Sequence, residues 1–95
     1  MFLGAYHFDG ESSRLLPAYR RLLDGYPPDQ LDLHICLVRD GGITVYDACP
    51  SEDVFTDFST GAEFAAAVSA AGLPAPRVEP LGEVATARLS PAAAR

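Results

Sequence analysis

The sequence predicts a single α+β domain of order βαββαβ, with a four-stranded antiparallel sheet and both helices on one face. Three observations carry that expectation. Residues 31–49, LDLHICLVRDGGITVYDAC, read as two strands folded back at Asp40-Gly41-Gly42. Residues 12–24 and 51–71 space their apolar side chains as helices do. Strand-like runs stand at both ends, at 2–8 and from 77 to about 88.

The first strand, Phe2 to Phe8, puts Phe2, Gly4, Tyr6 and Phe8 on one face and Leu3, Ala5 and His7 on the other. Asp9-Gly10 turns the chain, and Ser12 or Ser13 is expected to cap the first helix. Pro17 is placed near its first turn, where a missing N–H costs little. Leu15, Leu16, Tyr19, Leu22 and Leu23, with Tyr26 as a candidate extension, form its apolar stripe, with Arg14, Arg20, Arg21 and Asp24 pointing away. Gly25 suits the C′ position, and Pro27-Pro28 stops the helix.

In the hairpin, Leu33, Ile35 and Leu37 alternate with His34, Cys36 and Val38. Neither set is polar enough for a solvent face, so the strand is expected to be covered on both sides. Asp40, Gly41 and Gly42 are expected to supply the positive φ values of a tight turn. If Asp40-Gly41 is a two-residue loop, His34 faces Asp47 and Cys36 faces Val45. A three-residue loop through Gly42 would instead set His34 against Ala48 and Cys36 against Tyr46. The two-residue loop is the preferred reading.

Pro50 ends the third strand and Ser51 caps the next helix, with Glu52 and Asp53 complementing its dipole. Val54, Phe55 and Phe58 are expected to face inward. Ser59-Thr60-Gly61 interrupts this helix, and Thr60 with Glu63 fits a capping box for a second piece. Its inner face is Phe64, Ala65, Val68 and Ala71, and Gly72 and Pro74 stop it. Pro80 and Gly82 mark a bend or an edge position in the last strand. Right-handed crossovers turn this order into the split βαβ, ferredoxin-like arrangement over residues 1–89, with 90–95 a disordered tail. The second sheet face is left apolar in a chain of 95 residues, so a second copy is the expected cover.

Composition narrows the partners. Thirteen acids stand against seven arginines, with no lysine, for a net charge of −6. That disfavours nucleic acid and anionic membranes. The N-terminus lacks a secretory pattern and no run is long enough for a membrane span, so a cytoplasmic protein with reduced cysteines is expected. Cys36 and Cys49 are out of step for a disulfide and form no zinc pattern.

The string DACPSEDVFTDFSTGAEFAAAV, with its flanking strands, resembles the dimeric α/β-barrel superfamily. That group holds antibiotic-biosynthesis-type monooxygenases, haem-degrading monooxygenases and small polyketide cyclases. The match consists of a third strand, a Ser-acidic helix start, the pair Phe55 and Phe58, and the Glu-Phe-x-Ala-Ala segment around Phe64. It spans nearly the whole chain. The LPxPRVEPLGEV-like stretch from Leu73 to Val84 is most similar to short actinobacterial members without an assigned activity. The resemblance implies two sheets packed face to face in a homodimer, with a small ligand pocket in each lumen. It places Tyr6, Asp47 and Cys49 on the lumenal face. The haem-degrading pattern does not carry over: its tryptophan falls on Cys49, its helix histidine on Val68 and its first-strand asparagine on Tyr6. No haem or other cofactor is therefore expected.

His34 beside Asp47 is the sharpest chemical candidate, since a carboxylate fixes one imidazole tautomer and supports a general base. Tyr6 could donate to a developing oxyanion. The plainer alternative is that His34 and Asp47 satisfy each other in a dimer core. Cys36, Cys49 and Phe58 are candidate ligand contacts, although the cysteines read first as buried fillers and Phe58 first as core. The functions in view are a cofactor-independent monooxygenase or cyclase on a small aromatic or polyketide-like substrate, or a non-catalytic dimer that binds a small apolar ligand or a protein partner. A pocket of roughly 300 Å3 or more, lined by His34 and Tyr6, favours a ligand site.

Overall fold

A computed structural model describes residues 1–27 and 31–90. Its elements are β1 (Phe2–Asp9), α1 (Ser12–Asp24), β2 (Leu33–Arg39), β3 (Gly42–Cys49), α2 (Glu52–Ser59), α3 (Ala62–Ala71) and β4 (Arg77–Glu83). The sheet order is β2-β3-β1-β4 and every neighbouring pair is antiparallel. Strands β1 and β2 are thus parallel and flank β3, while β3 and β4 flank β1. Each crossover spans an inserted strand, which is the split βαβ, ferredoxin-like α+β fold expected.

The hairpin has the two-residue loop. Arg39 pairs with Gly42, Cys36 with Val45 and His34 with Asp47. Only Gly41 supplies a positive φ, of 82°. Gly42 answers a different need: a Cβ there would stand 2.1 Å from the Phe8 carbonyl oxygen of β1. At the other edge β4 is shorter than expected and carries a register shift opposite Leu3/Gly4, as Pro80 and Gly82 suggested.

The helices pack on the face that carries Phe2, Tyr6, Phe8, Ile43, Val45 and Cys49, all buried together with Phe55, Phe64 and Val68. Gly4 lets α2 come close, because a Cβ there would meet the Phe55 ring at 2.0 Å. α1 lies over β3, α2 lies over β1 and β4, and α3 packs against α1. Arg21, expected to point away, donates from Nε and Nη2 to the Ala71 carbonyl at 3.2 and 3.0 Å. It thereby caps the C-terminus of α3 with a cation.

Several local expectations are corrected. α1 begins after Glu11 with no side-chain cap, and Pro17 falls in its second turn rather than its first. Gly25 closes α1 in right-handed geometry. Ser51 caps α2 as expected, its hydroxyl accepting from the Val54 N–H at 3.2 Å. The capping box of α3 does not form, because the Thr60 hydroxyl donates back to the Thr56 carbonyl at 2.6 Å and leaves Gly61 as the cap. Within α2 only Phe55 is buried, and Ala65 of α3 is exposed. Pro28 and residues 91–95 lie outside the described residues, so the helix stop at Pro27-Pro28 and the tail are described only up to Pro27 and at Ser90.

The opposite sheet face has no element over it among the described residues. Ile35 and Leu37 of β2 are 47% and 48% exposed there. Its other half is polar. His7 bonds Thr44 at 3.0 Å and Glu79 at 2.9 Å, and Arg39 reaches Thr44 and Asp9 at 3.0 and 2.8 Å.

Candidate functional site

The site grows from the hairpin register. Because His34 and Asp47 are directly opposite on β2 and β3, their side chains share the helix-facing side of the sheet. His34 Nδ1 lies 2.5 Å from Asp47 Oδ1. A carboxylate can only accept, so Nδ1 carries the proton of that bond. In the neutral imidazole Nε2 is then bare. Tyr19, on the inner stripe of α1, brings its hydroxyl 2.6 Å from His34 Nε2 and donates to it, with the two rings 3° from parallel. Three elements thus hold one line of hydrogen bonds, Tyr19–His34–Asp47. Asp47 is 8% exposed, so the carboxylate depends on the imidazole for its pairing.

That line forms part of the wall of a cavity of about 880 Å3 between the sheet and the helices. Tyr6, Tyr19, His34, Asp47, Cys49 and Phe58 all line it. The walls are apolar and rich in aromatic rings. Phe55 and Phe64 stand 5.7 and 5.2 Å from the Tyr6 ring, and Phe58 stands 4.8 Å from Phe64. Phe58, Val54 and Leu23 are 40%, 45% and 39% exposed because they stand at the mouth rather than in a sealed core.

The electrostatics keep both phenols protonated at neutral pH. Burial, with Cys36 and Asp47 nearby, pushes Tyr19 up to about 12. Burial first, then the Asp47 carboxylate, holds Tyr6 well above the ordinary tyrosine range. The Tyr6 hydroxyl makes no hydrogen bond to another described residue. Burial likewise raises the thiols of Cys36 and Cys49, so neither is an activated nucleophile. Both are free. Cys49 Sγ donates to the Ser51 carbonyl at 3.4 Å.

Tyr6, His34 and Asp47 come together as the sequence suggested, but on the helix-covered side. The lumenal placement of Tyr6, Asp47 and Cys49 is therefore corrected. Two-residue periodicity says which side chains share a face, and with both faces apolar it does not say which face the helices take. Cys36 shares the face yet lies outside the cavity lining. Tyr19 was missed as a functional residue. Its only signal was a polar head in a stripe of leucines, and a helical stripe reads first as core.

Compared with protein-family models, with curated proteins and with solved structures, the chain matches none. Among the described residues no helix is long and apolar enough to cross a membrane, and no group of His, Cys, Asp and Glu gathers as a metal-binding set.

Proposed function

We propose that the cavity binds a small aromatic or polyketide-like molecule and removes a proton from it without a cofactor. One observation carries this reading: the hydrogen-bonded line Asp47–His34–Tyr19 stands on the wall of a largely apolar cavity. The resemblance to the dimeric α/β-barrel monooxygenases and cyclases points the same way. Tyr19 is neutral at rest, and with His34 in its neutral form the Tyr19 hydroxyl donates to Nε2. Its oxygen therefore accepts the substrate proton as its own passes to Nε2. The resulting imidazolium is held by Asp47 through Nδ1, in the way a carboxylate supports a general base. Tyr6, kept as a phenol, donates to the oxygen on which negative charge develops. Carbanion formation is shared by the two chemistries in view. In a cyclisation the carbanion attacks a carbonyl of the same molecule. In an oxygenation its electrons pass to dioxygen, and one oxygen atom stays on carbon while the other leaves as water.

Proton transfer is testable before the substrate is known. 2-Tetralone carries acidic benzylic protons and fits an aromatic cavity. In D2O the protein is expected to speed their exchange, followed by NMR, well above the buffer rate. Binding of the ketone with exchange left at the buffer rate contradicts proton transfer and favours the alternative, a non-catalytic binder.

The open sheet face suits a second copy of the chain. Ile35 and Leu37 offer apolar area, while Arg39 and Arg77 around Asp9, and Glu79 against His7, give the mixed signs a self-complementary contact uses. Sedimentation is expected to show a dimer at micromolar concentration, and Ile35→Glu a folded monomer. A wild-type chain that sediments as a monomer removes the homodimer. The free thiols of Cys36 and Cys49 fit a reducing, cytoplasmic setting.

A further inference from the structure

We propose that the molecule held in the cavity is an aromatic amine, bound as its ammonium cation with the charge at the rim. This rests on the reading of the cavity as a ligand site and adds the class of ligand. The charged groups on the wall are of one sign. Asp24, Asp47 and Glu63 line the cavity, and no arginine does among the described residues. The chain has no lysine to add. Asp24 ends α1 and Glu63 lies in the first turn of α3, and both are exposed where the cavity meets solvent. Tyr26 and Phe58 meet edge to face at the same rim, with centroids 5.9 Å apart. Their ring faces attract a cation and the two carboxylates reinforce that attraction. An anion placed there faces Asp24 and Glu63 with no compensating side chain among the described residues, while Asp47 is held by His34 deeper in the cavity.

An independent observation points to a ligand with a second polar group. Tyr6 is 3% exposed, yet its hydroxyl has no partner among the described residues. Nor is the hydroxyl sealed off, since no fully buried side-chain oxygen or nitrogen lacks a partner. It therefore reaches the cavity space, where it can donate to or accept from a polar atom of a bound molecule. The complementary molecule is aromatic in its middle, polar at the end that meets Tyr6 and Tyr19, and cationic at the rim. The cation also offsets the negative charge that proton removal creates.

Three probes with one ring system separate the possibilities: 2-(1-naphthyl)ethylamine, 2-(1-naphthyl)ethanol and 1-naphthylacetate, titrated calorimetrically into the whole protein at pH 7 and low salt. The amine is expected to bind about tenfold tighter than the acetate, with the alcohol between, as two rim charges imply. Added salt narrows the gap. The double variant Asp24→Asn, Glu63→Gln is expected to lose most of it while the alcohol binds as before. Equal binding of all three, or tighter binding of the acetate, overturns the amine and leaves the cavity as a ligand site. Failure of all three to bind removes the cavity reading itself, and the amine with it.

Discussion

Gly42→Ala is expected to destabilise the domain by about 3 kcal/mol, the upper end for overpacking a tight site. A Cβ at position 42 would stand 2.1 Å from the Phe8 carbonyl oxygen and 3.1 Å from its carbon. The obstacle is backbone, so it cannot swing aside as a side chain does. Relief requires β1 and β3 to part where Asp9 meets Gly42 and Phe8 meets Ile43. Phe8 and Ile43 are 2% and 0% exposed, so the parting would disturb the centre of the core. For a domain of this size the loss corresponds to a fall in Tm of roughly 12–24 °C. Gly25→Ala is the control. Its φ is −81° and the nearest obstacle, the Leu22 carbonyl oxygen, lies 3.4 Å away, so a near-neutral melting point is expected. Equal melting points for the two variants would contradict the close strand approach.

His34→Ala is expected to lower the catalysed exchange of 2-tetralone by roughly 10²–10⁴-fold, the range for loss of a positioned general base. The variant also leaves the largely buried Asp47 carboxylate without its partner at 2.5 Å. That costs about 1–3 kcal/mol, a loss a domain of ordinary stability survives folded. Added imidazole is expected to restore part of the exchange, because the deleted ring leaves a space of its own shape beside Asp47 and Tyr19. A merely structural histidine gives no such rescue. If His34→Ala fails to fold at all, the pair is part of the core and the catalytic reading falls.

The phenols add a signature at high pH. Their folded-state values lie above the ordinary tyrosine value, so the folded protein holds protons that the unfolded chain releases. Stability is full below about pH 10 and declines as pH rises through about 12, where Tyr19 ionises.

What the sequence revealed and what it hid have separate physical reasons. The hairpin register was legible because Asp40-Gly41 permits a two-residue loop, and that loop alone sets His34 against Asp47. Pro80 and Gly82 announced an irregular edge strand because proline cannot serve a central ladder. The side chosen by the helices was hidden. Neither Leu33, Ile35 and Leu37 nor the alternating His34, Cys36 and Val38 is polar enough to mark a solvent face, and only the handed packing of the crossovers decides between the faces. Tyr19 was hidden for a related reason. Its meeting with His34 depends on how α1 lies across β3, which no local pattern encodes. The caps failed where a hydroxyl had a nearer choice, as Thr60 has in the Thr56 carbonyl.

The central claim is that Tyr19, His34 and Asp47 move a proton as one unit. A double-variant cycle on the 2-tetralone exchange tests it most directly, with Tyr19→Phe, His34→Ala and the two combined. If the residues act in series, each single variant loses nearly the whole acceleration and the double variant is no slower than either. Losses that multiply in the double variant, or single variants that exchange as fast as the wild type, would show that no such unit exists.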